Sequence, residues 1–142
     1  MEKKQDLSRF IEAHKRSYKT ALEEIKNGRK TTHWMWYIFP QLHGFGHSEF
    51  TKYYAIQSLD EAIAFLHDPY LGGNLLEISN ALLTLNMDNP TIIFGKPDDR
   101  KLKRCMTLFA YISENGSVFH QVLDKYFKGK ADRRTLEIIE SE

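Results

Sequence analysis

The sequence predicts an all-α fold: a single compact domain of about six to eight helices joined by short loops. Three observations lead to it. Apolar residues recur at spacings of three, four and seven in five of the six long segments, the signature of amphipathic helices. Period-two alternation is nowhere sustained over a strand length with hairpin turns between, so a sheet has no candidate strands. A chain of 142 residues, 42% hydrophobic and 13% aromatic, suits one domain that buries roughly two-thirds of its unfolded surface.

The first helix is predicted over residues 7 to 27, carrying Leu7, Phe10, Ile11, Tyr18, Ala21, Leu22 and Ile25 on one side. Asp6 can cap it, and Gly28 can end it in the left-handed conformation. His14 falls within the apolar face and reads as a hydrogen-bonded core histidine. Ser58-Leu59-Asp60-Glu61 is a capping-box pattern ahead of Ala62, Ile63, Phe65 and Leu66. That helix ends near Asp68, because Pro69 disfavours helical geometry in the residue before it. Pro69 to Gly73 reads as a turn, and Leu75, Leu76, Ile78, Leu82, Leu83 and Leu85 mark the next helix. After a break at Gly95-Lys96-Pro97, Asp98 can cap a helix carrying Leu102, Cys105, Met106 and Phe109. Ser117 can cap another through Val118, Phe119, Val122, Leu123, Tyr126 and Phe127, and Asp132 to Ile139 forms a last short element.

Composition excludes several function classes. Twenty Lys and Arg against nineteen Asp and Glu leave no basic excess for a nucleic-acid coat or a membrane-surface protein. One cysteine, Cys105, allows neither an intramolecular disulfide nor a multi-cysteine metal site. It lies at the centre of an apolar arc, where a thiol is a poor nucleophile. No apolar run approaches the ~18 residues needed to span a bilayer. The opening MEKKQDLSRF has no apolar stretch after its charges, so no secretory leader is expected and the predicted location is cytoplasmic.

The segment from His33 to Tyr54 stands apart. It holds Trp34, Trp36, Tyr37, Phe39, Phe45, Phe50, Tyr53 and Tyr54, eight of the eighteen aromatics, with His33, His43 and His47. The run from Trp34 to Phe39 is large and apolar on every side, which requires burial all round. The same residues also suit a pocket for a flat ligand: Trp and Tyr for stacking, His33 and Gln41 for hydrogen bonds, and Gly44 and Gly46 for close backbone approach. The two readings are compatible. Trp34 and Trp36 are ~200° apart on a helix, so one is expected in the core and the other at a cavity. His43 and His47 have a helical metal-ligand spacing, but the intervening glycines undercut a helix, and no metal site or cofactor is expected. A second anomaly is Lys101, which falls inside the apolar arc of its own helix. Such a lysine either snorkels to solvent or meets an anion near the helix start. Lys96, Arg100, Lys103 and Arg104 read as a solvated charged face.

With these residues in view, the chain resembles a bacterial family, domain of unknown function 1810, often labelled calpastatin-like. The marks are His33-Trp34-Met35-Trp36 running to Phe39-Pro40-Gln41, then Gly46 and Ser48, Tyr54-Ala55-Ile56 and Leu59-Asp60-Glu61-Ala62. Further marks are His67-Asp68-Pro69 with Leu71-Gly72, Phe94-Gly95-Lys96-Pro97-Asp98-Asp99, Met106-Thr107-Leu108-Phe109, and Asp132 with Thr135-Leu136. The resemblance spans Leu7 to Leu136 and implies a compact, mainly helical fold without an assigned activity. Two departures are Arg104-Cys105, where the family usually has two serines, and Gly73-Asn74 in place of a more usual Pro-Arg. A more distant similarity, to the NADAR/YbiA-like N-glycosidases, implies chemistry on ADP-ribose or riboflavin-pathway N-glycosides. Glu49 and Lys52 are the right residue types for it but do not align cleanly.

Two functions from different classes follow. The first is a domain that binds or hydrolyses a nucleotide-like small ligand. Trp34, Trp36 or Tyr54 would stack on its ring, while His33, Gln41 and Ser48 would bind polar edges beside Gly46. Lys101 would meet a phosphate, and Glu49 or Asp98 would serve as the base for water if the domain hydrolyses. The second is a non-catalytic interaction module with the aromatic block as core and docking surface. Neither involves nucleic acid or a membrane, and the sequence leaves the oligomeric state open.

Overall fold

The computed structural model describes residues 5–142; residues 1–4, the charged start of the leader reading, lie outside the described residues. Among the described residues there are nine helices: α1 (Ser8–Lys26), α2 (Met35–Ile38), α3 (Glu49–Tyr54), α4 (Leu59–His67), α5 (Pro69–Thr84), α6 (Pro90–Phe94), α7 (Asp98–Tyr111), α8 (Val118–Phe127) and α9 (Arg133–Glu140). The fold is all-α. The count exceeds the expected six to eight because α2, α3 and α6 span only four to six residues, too short for a helical period to show. None of these helices is long and apolar enough to cross a membrane. The nearest approach to a sheet is one parallel bridge between Leu42 and Ile56.

The long helices form where the periodicity places them. α1 starts one residue later than expected, so Leu7 and not Asp6 holds the cap position, and Asp6 accepts from the Ser8 amide at 3.0 Å just ahead of the helix. The helix stops at Gly28 (φ 80°), whose amide closes on the Ile25 carbonyl at 2.8 Å. Ser58 caps α4 through the Glu61 amide, as the sequence pattern suggests. The reciprocal half differs: Glu61 turns to the Gln57 amide and to Arg9 instead. Pro69 to Gly73 is no turn. Asp68 accepts from the Tyr70 and Leu71 amides and Pro69 occupies the first helical position, where its missing N–H costs nothing. α5 therefore follows α4 without a spacer. Asp98 does not cap α7 either: Pro97 holds that position, and the Asp98 carboxylate is drawn away by two lysines.

α5 packs on α1, α4 and α8, while α7 packs on α6, α8, α9 and α4. One continuous core joins them, including Phe10, Ile25, Trp34, Phe65, Leu75, Leu102, Cys105, Phe109 and Phe119. Burial pushes the Cys105 thiol well above its ordinary value, which keeps it protonated and unreactive.

His14 shows how polar groups are accommodated in this core. It is 1% exposed, with Nε2 donating to the Tyr37 carbonyl at 2.8 Å and Nδ1 accepting from Asn74 Nδ2 at 3.1 Å. Both nitrogens are thus satisfied in the neutral ring. Desolvation, only partly offset by the Tyr37 bond, lowers its pKa to about 4 from 6.5. The unfolded chain therefore binds the extra proton first, and this contribution to stability is complete above pH 6.5 and lost as the pH falls towards 4. The loss should reach on the order of 3 kcal/mol. Denaturant unfolding across that window should show it, and His14→Gln should flatten the slope. An unchanged slope in the variant would assign the pH dependence to other groups.

Candidate functional site

The aromatic segment folds differently from a single core helix. Only Met35–Ile38 is helical. The chain then extends, pairs with the stretch after α3 through His43 N–H to Ile56 O and Ile56 N–H to Gln41 O, both 2.9 Å, and loops over Gly44 and Gly46 (φ 103° and 90°). Gly44 is wedged against α9: a Cβ there would lie 2.9 Å from Ile138 Cδ1. α3 then begins at Ser48, which caps it by accepting from the Thr51 amide at 3.1 Å. Arg9 fastens the far end of α3, donating to the Tyr53 and Ala55 carbonyls and forming a two-pronged pair with Glu61.

This arrangement leaves two adjoining hollows. The smaller, about 10 Å³, is lined by Met35, Trp36, Phe39, Gln41, Thr51, Tyr54, Ala55 and Lys101. The larger is a groove of about 260 Å³ lined by Leu42, His43, Gly44, Phe45, Gly46, Thr51, Lys52, Ala55 and Gln57. Thr51 and Ala55 form the wall they share.

Trp34 and Trp36 part company as their offset predicts. Trp34 is 1% exposed, its indole N–H donating to Glu24 at 3.0 Å and its ring set against Phe39 and Phe94. Trp36 is half-buried at the small cavity, packed on Phe50 at 5.3 Å. Lys101 does not run out to solvent: its ammonium stands 5.5 Å over the Trp36 ring and 3.4 Å from Asp98. Asp98 is held more closely by Lys30, at 2.9 Å, whose side chain is 8% exposed.

Of the residues singled out from the sequence, Trp36, Gln41, Tyr54 and Lys101 line one cavity, and Gly46 lines the groove beside it. The others do not converge there. His33 is exposed, Trp34 belongs to the core, Ser48 serves as a helix cap, and Glu49 is exposed in the first turn of α3. Asp98 reaches the cavity only through Lys101. Sequence reasoning missed Arg104, read as part of a solvated face. Its guanidinium lies 4.3 Å over the Phe45 ring, Nη1 donates to Gln41 Oε1 at 3.4 Å, and Nε is buried with no partner. It also missed Glu24, whose carboxylate ties down the chain ahead of α2. Desolvation raises the Glu24 pKa, but bonds from the Thr32 hydroxyl, the Thr31 and Thr32 amides and Trp34 outweigh it and lower the value to about 2. The only advance signal for either residue was its place in the chain, beside an apolar arc or in the last turn of α1.

Among the described residues, no group of three or more His, Cys, Asp or Glu is placed to hold a metal ion. Comparisons with known proteins agree with the sequence marks. No curated protein matches the chain. A conserved hypothetical protein from Mycobacterium tuberculosis, known from a crystal structure, is 41% identical, with a TM-score of 0.92 over 95% of this chain and 96% of that one. The chain also matches a family described as protein of unknown function (DUF1810) across residues 4–139. With nearly its whole length inside that match and its helices superimposing on the mycobacterial protein, the chain belongs to the DUF1810 family.

Proposed function

We propose that this domain binds a small nucleotide-like molecule, its ring in the groove and its polar end at the mouth of the Trp36–Lys101 cavity, whose interior holds no more than about one water. The observation that carries the reading is the convergence of Trp36, Gln41, Tyr54 and Lys101, from three separate stretches of chain, on one hollow. The groove is smaller than common drug-sized pockets of ~300–1,000 Å³, so it favours a mononucleotide or a flavin precursor over intact ADP-ribose. Binding is favoured over hydrolysis. No carboxylate lines either hollow among the described residues, Glu49 faces solvent, and both Asp98 oxygens contact lysines. A thermal-shift screen with mononucleotides, nucleosides and flavin precursors tests this. A true ligand at 100 times its Kd adds ~2.7 kcal/mol, which raises Tm by several degrees in a chain of this size. Trp36→Ala should abolish the shift. A screen with no shift would count against the reading.

The interaction-module alternative rests on a different surface. Phe50 and Tyr53, 60% and 57% exposed, project from α3, Phe50 packing on Trp36. A Phe50→Ser/Tyr53→Ser protein separates the two functions: it keeps small-molecule binding if the pocket is the site, and loses partner capture if α3 is a docking face.

A further inference from the structure

Beside the cavity, Lys101 shares its carboxylate, Asp98, with Lys30, and Arg104 has none among the described residues. Lys30 is the nearer and more buried partner of Asp98, so Lys101 can leave its 3.4 Å contact without stranding a charge. Arg104, one turn further along α7, has no carboxylate within ion-pair distance among the described residues and rests on Phe45. Both cations are thus parked on aromatic faces, Lys101 on Trp36 and Arg104 on Phe45. Such contacts are weaker than charge-assisted hydrogen bonds to an anion.

The donors nearby are also unspent. Gln41 is only 8% exposed, and among the described residues its side chain makes one long hydrogen bond, through Oε1 to Arg104. Its amide nitrogen makes no hydrogen bond to the described residues and is free to meet a ligand at the cavity wall. Arg104 Nε is the donor of this group that is both buried and unpartnered. A buried donor of this kind is rare in folded proteins and calls for an explanation.

Resting on the pocket reading above, we propose that Lys101, Arg104 and Gln41 together form the receptor for a phosphate monoester. Three donors of different kinds meet three terminal oxygens, and the positive charge of Lys30, Lys101 and Arg104 that the single Asp98 carboxylate leaves unbalanced meets a group of charge about −2. A carboxylate supplies one charge and two oxygens, which leaves a cation and a donor unanswered. The start of α7 is not the receptor, because Asp98 occupies it. A phosphate of this class enters attached to a ring or as the free ion, and the probes distinguish the two.

The test pairs a variant with a binding series. In Gln41→Glu a carboxylate of nearly the same shape would take the anion's place between Lys101 and Arg104. This variant should unfold at a higher temperature than wild type, and the rise should vanish in the Arg104→Met background. Calorimetric titrations then compare adenosine with adenosine 5′-monophosphate, riboflavin with flavin mononucleotide, and inorganic phosphate alone. At least one phosphorylated probe should bind about tenfold or more tightly than its dephosphorylated counterpart. Lys101→Met and Arg104→Met, each confirmed as folded by circular dichroism, should each weaken it by a similar factor, and Gln41→Glu should abolish it. If ring compounds bind equally with and without phosphate, this assignment falls while the pocket reading stands. If inorganic phosphate binds as well as the whole molecules, the assignment stands and the ring-binding groove falls. Failure of every phosphorylated probe at millimolar concentration, or a lowered unfolding temperature in Gln41→Glu, overturns the proposal.

Discussion

A Gly72→Ala protein should lose more than ~4 kcal/mol of stability or fail to reach the native fold, at the extreme of single substitutions. Helix propensity alone predicts the opposite, because Ala is favoured over Gly within a helix by ~1 kcal/mol. Space decides the sign. A Cβ at Gly72 would sit 1.9 Å from the Leu66 carbonyl oxygen and 2.8 Å from its carbonyl carbon. These are backbone atoms of the preceding helix and cannot rotate away. Because α5 follows α4 directly, relieving the clash means prising the two helices apart along their contact. The neighbouring glycine supplies the control. Gly73 is exposed and nothing lies within 4 Å of its virtual Cβ, so Gly73→Ala should stabilise by ~0.5–1 kcal/mol. Equilibrium denaturation of the two variants reads both effects, and equal outcomes would refute the steric account.

Trp34→Ala should cost ~3–5 kcal/mol, the range for deleting a fully buried aromatic side chain. Two losses combine. The indole fills the space between Phe39 and Phe94, and its N–H is one of four donors on Glu24. Removing it opens a cavity and leaves a buried carboxylate short of a partner. Trp36→Ala, two residues on, should cost ~1–2 kcal/mol, because that ring is half-buried and much of its contact is with the exposed Phe50. Its effect should instead fall on ligand binding. Similar stability losses in the two variants would mean that Trp36 is a core residue after all.

The readable parts of the fold were those whose cause is local. The apolar stripe of α1, the caps at Ser58 and Ser117, and the stop at Gly28 each depend on neighbours within a few residues. The misread parts had long-range causes. Pro69 to Gly73 carries the composition of a turn, yet it becomes helix because Asp68 caps it and Gly72 lets α4 pass close by. Lys101 could be flagged because a cation within an apolar arc contradicts its surroundings. Arg104 could not, since it falls outside that arc and only the returning Gln41–Phe45 loop covers it.

By itself, then, the sequence determined the helical class, the long helices, the buried thiol and histidine, the contrast between the two tryptophans and the family. All of these follow from periodicity, burial preference and motif, which are properties of neighbours in the chain. Only the tertiary structure decided which aromatic-block residues share a cavity, that Asp98 belongs first to Lys30, and that Arg104 faces inward. Pairing energies and close approaches depend on distances of a few ångströms between segments tens of residues apart, and no local pattern encodes those distances.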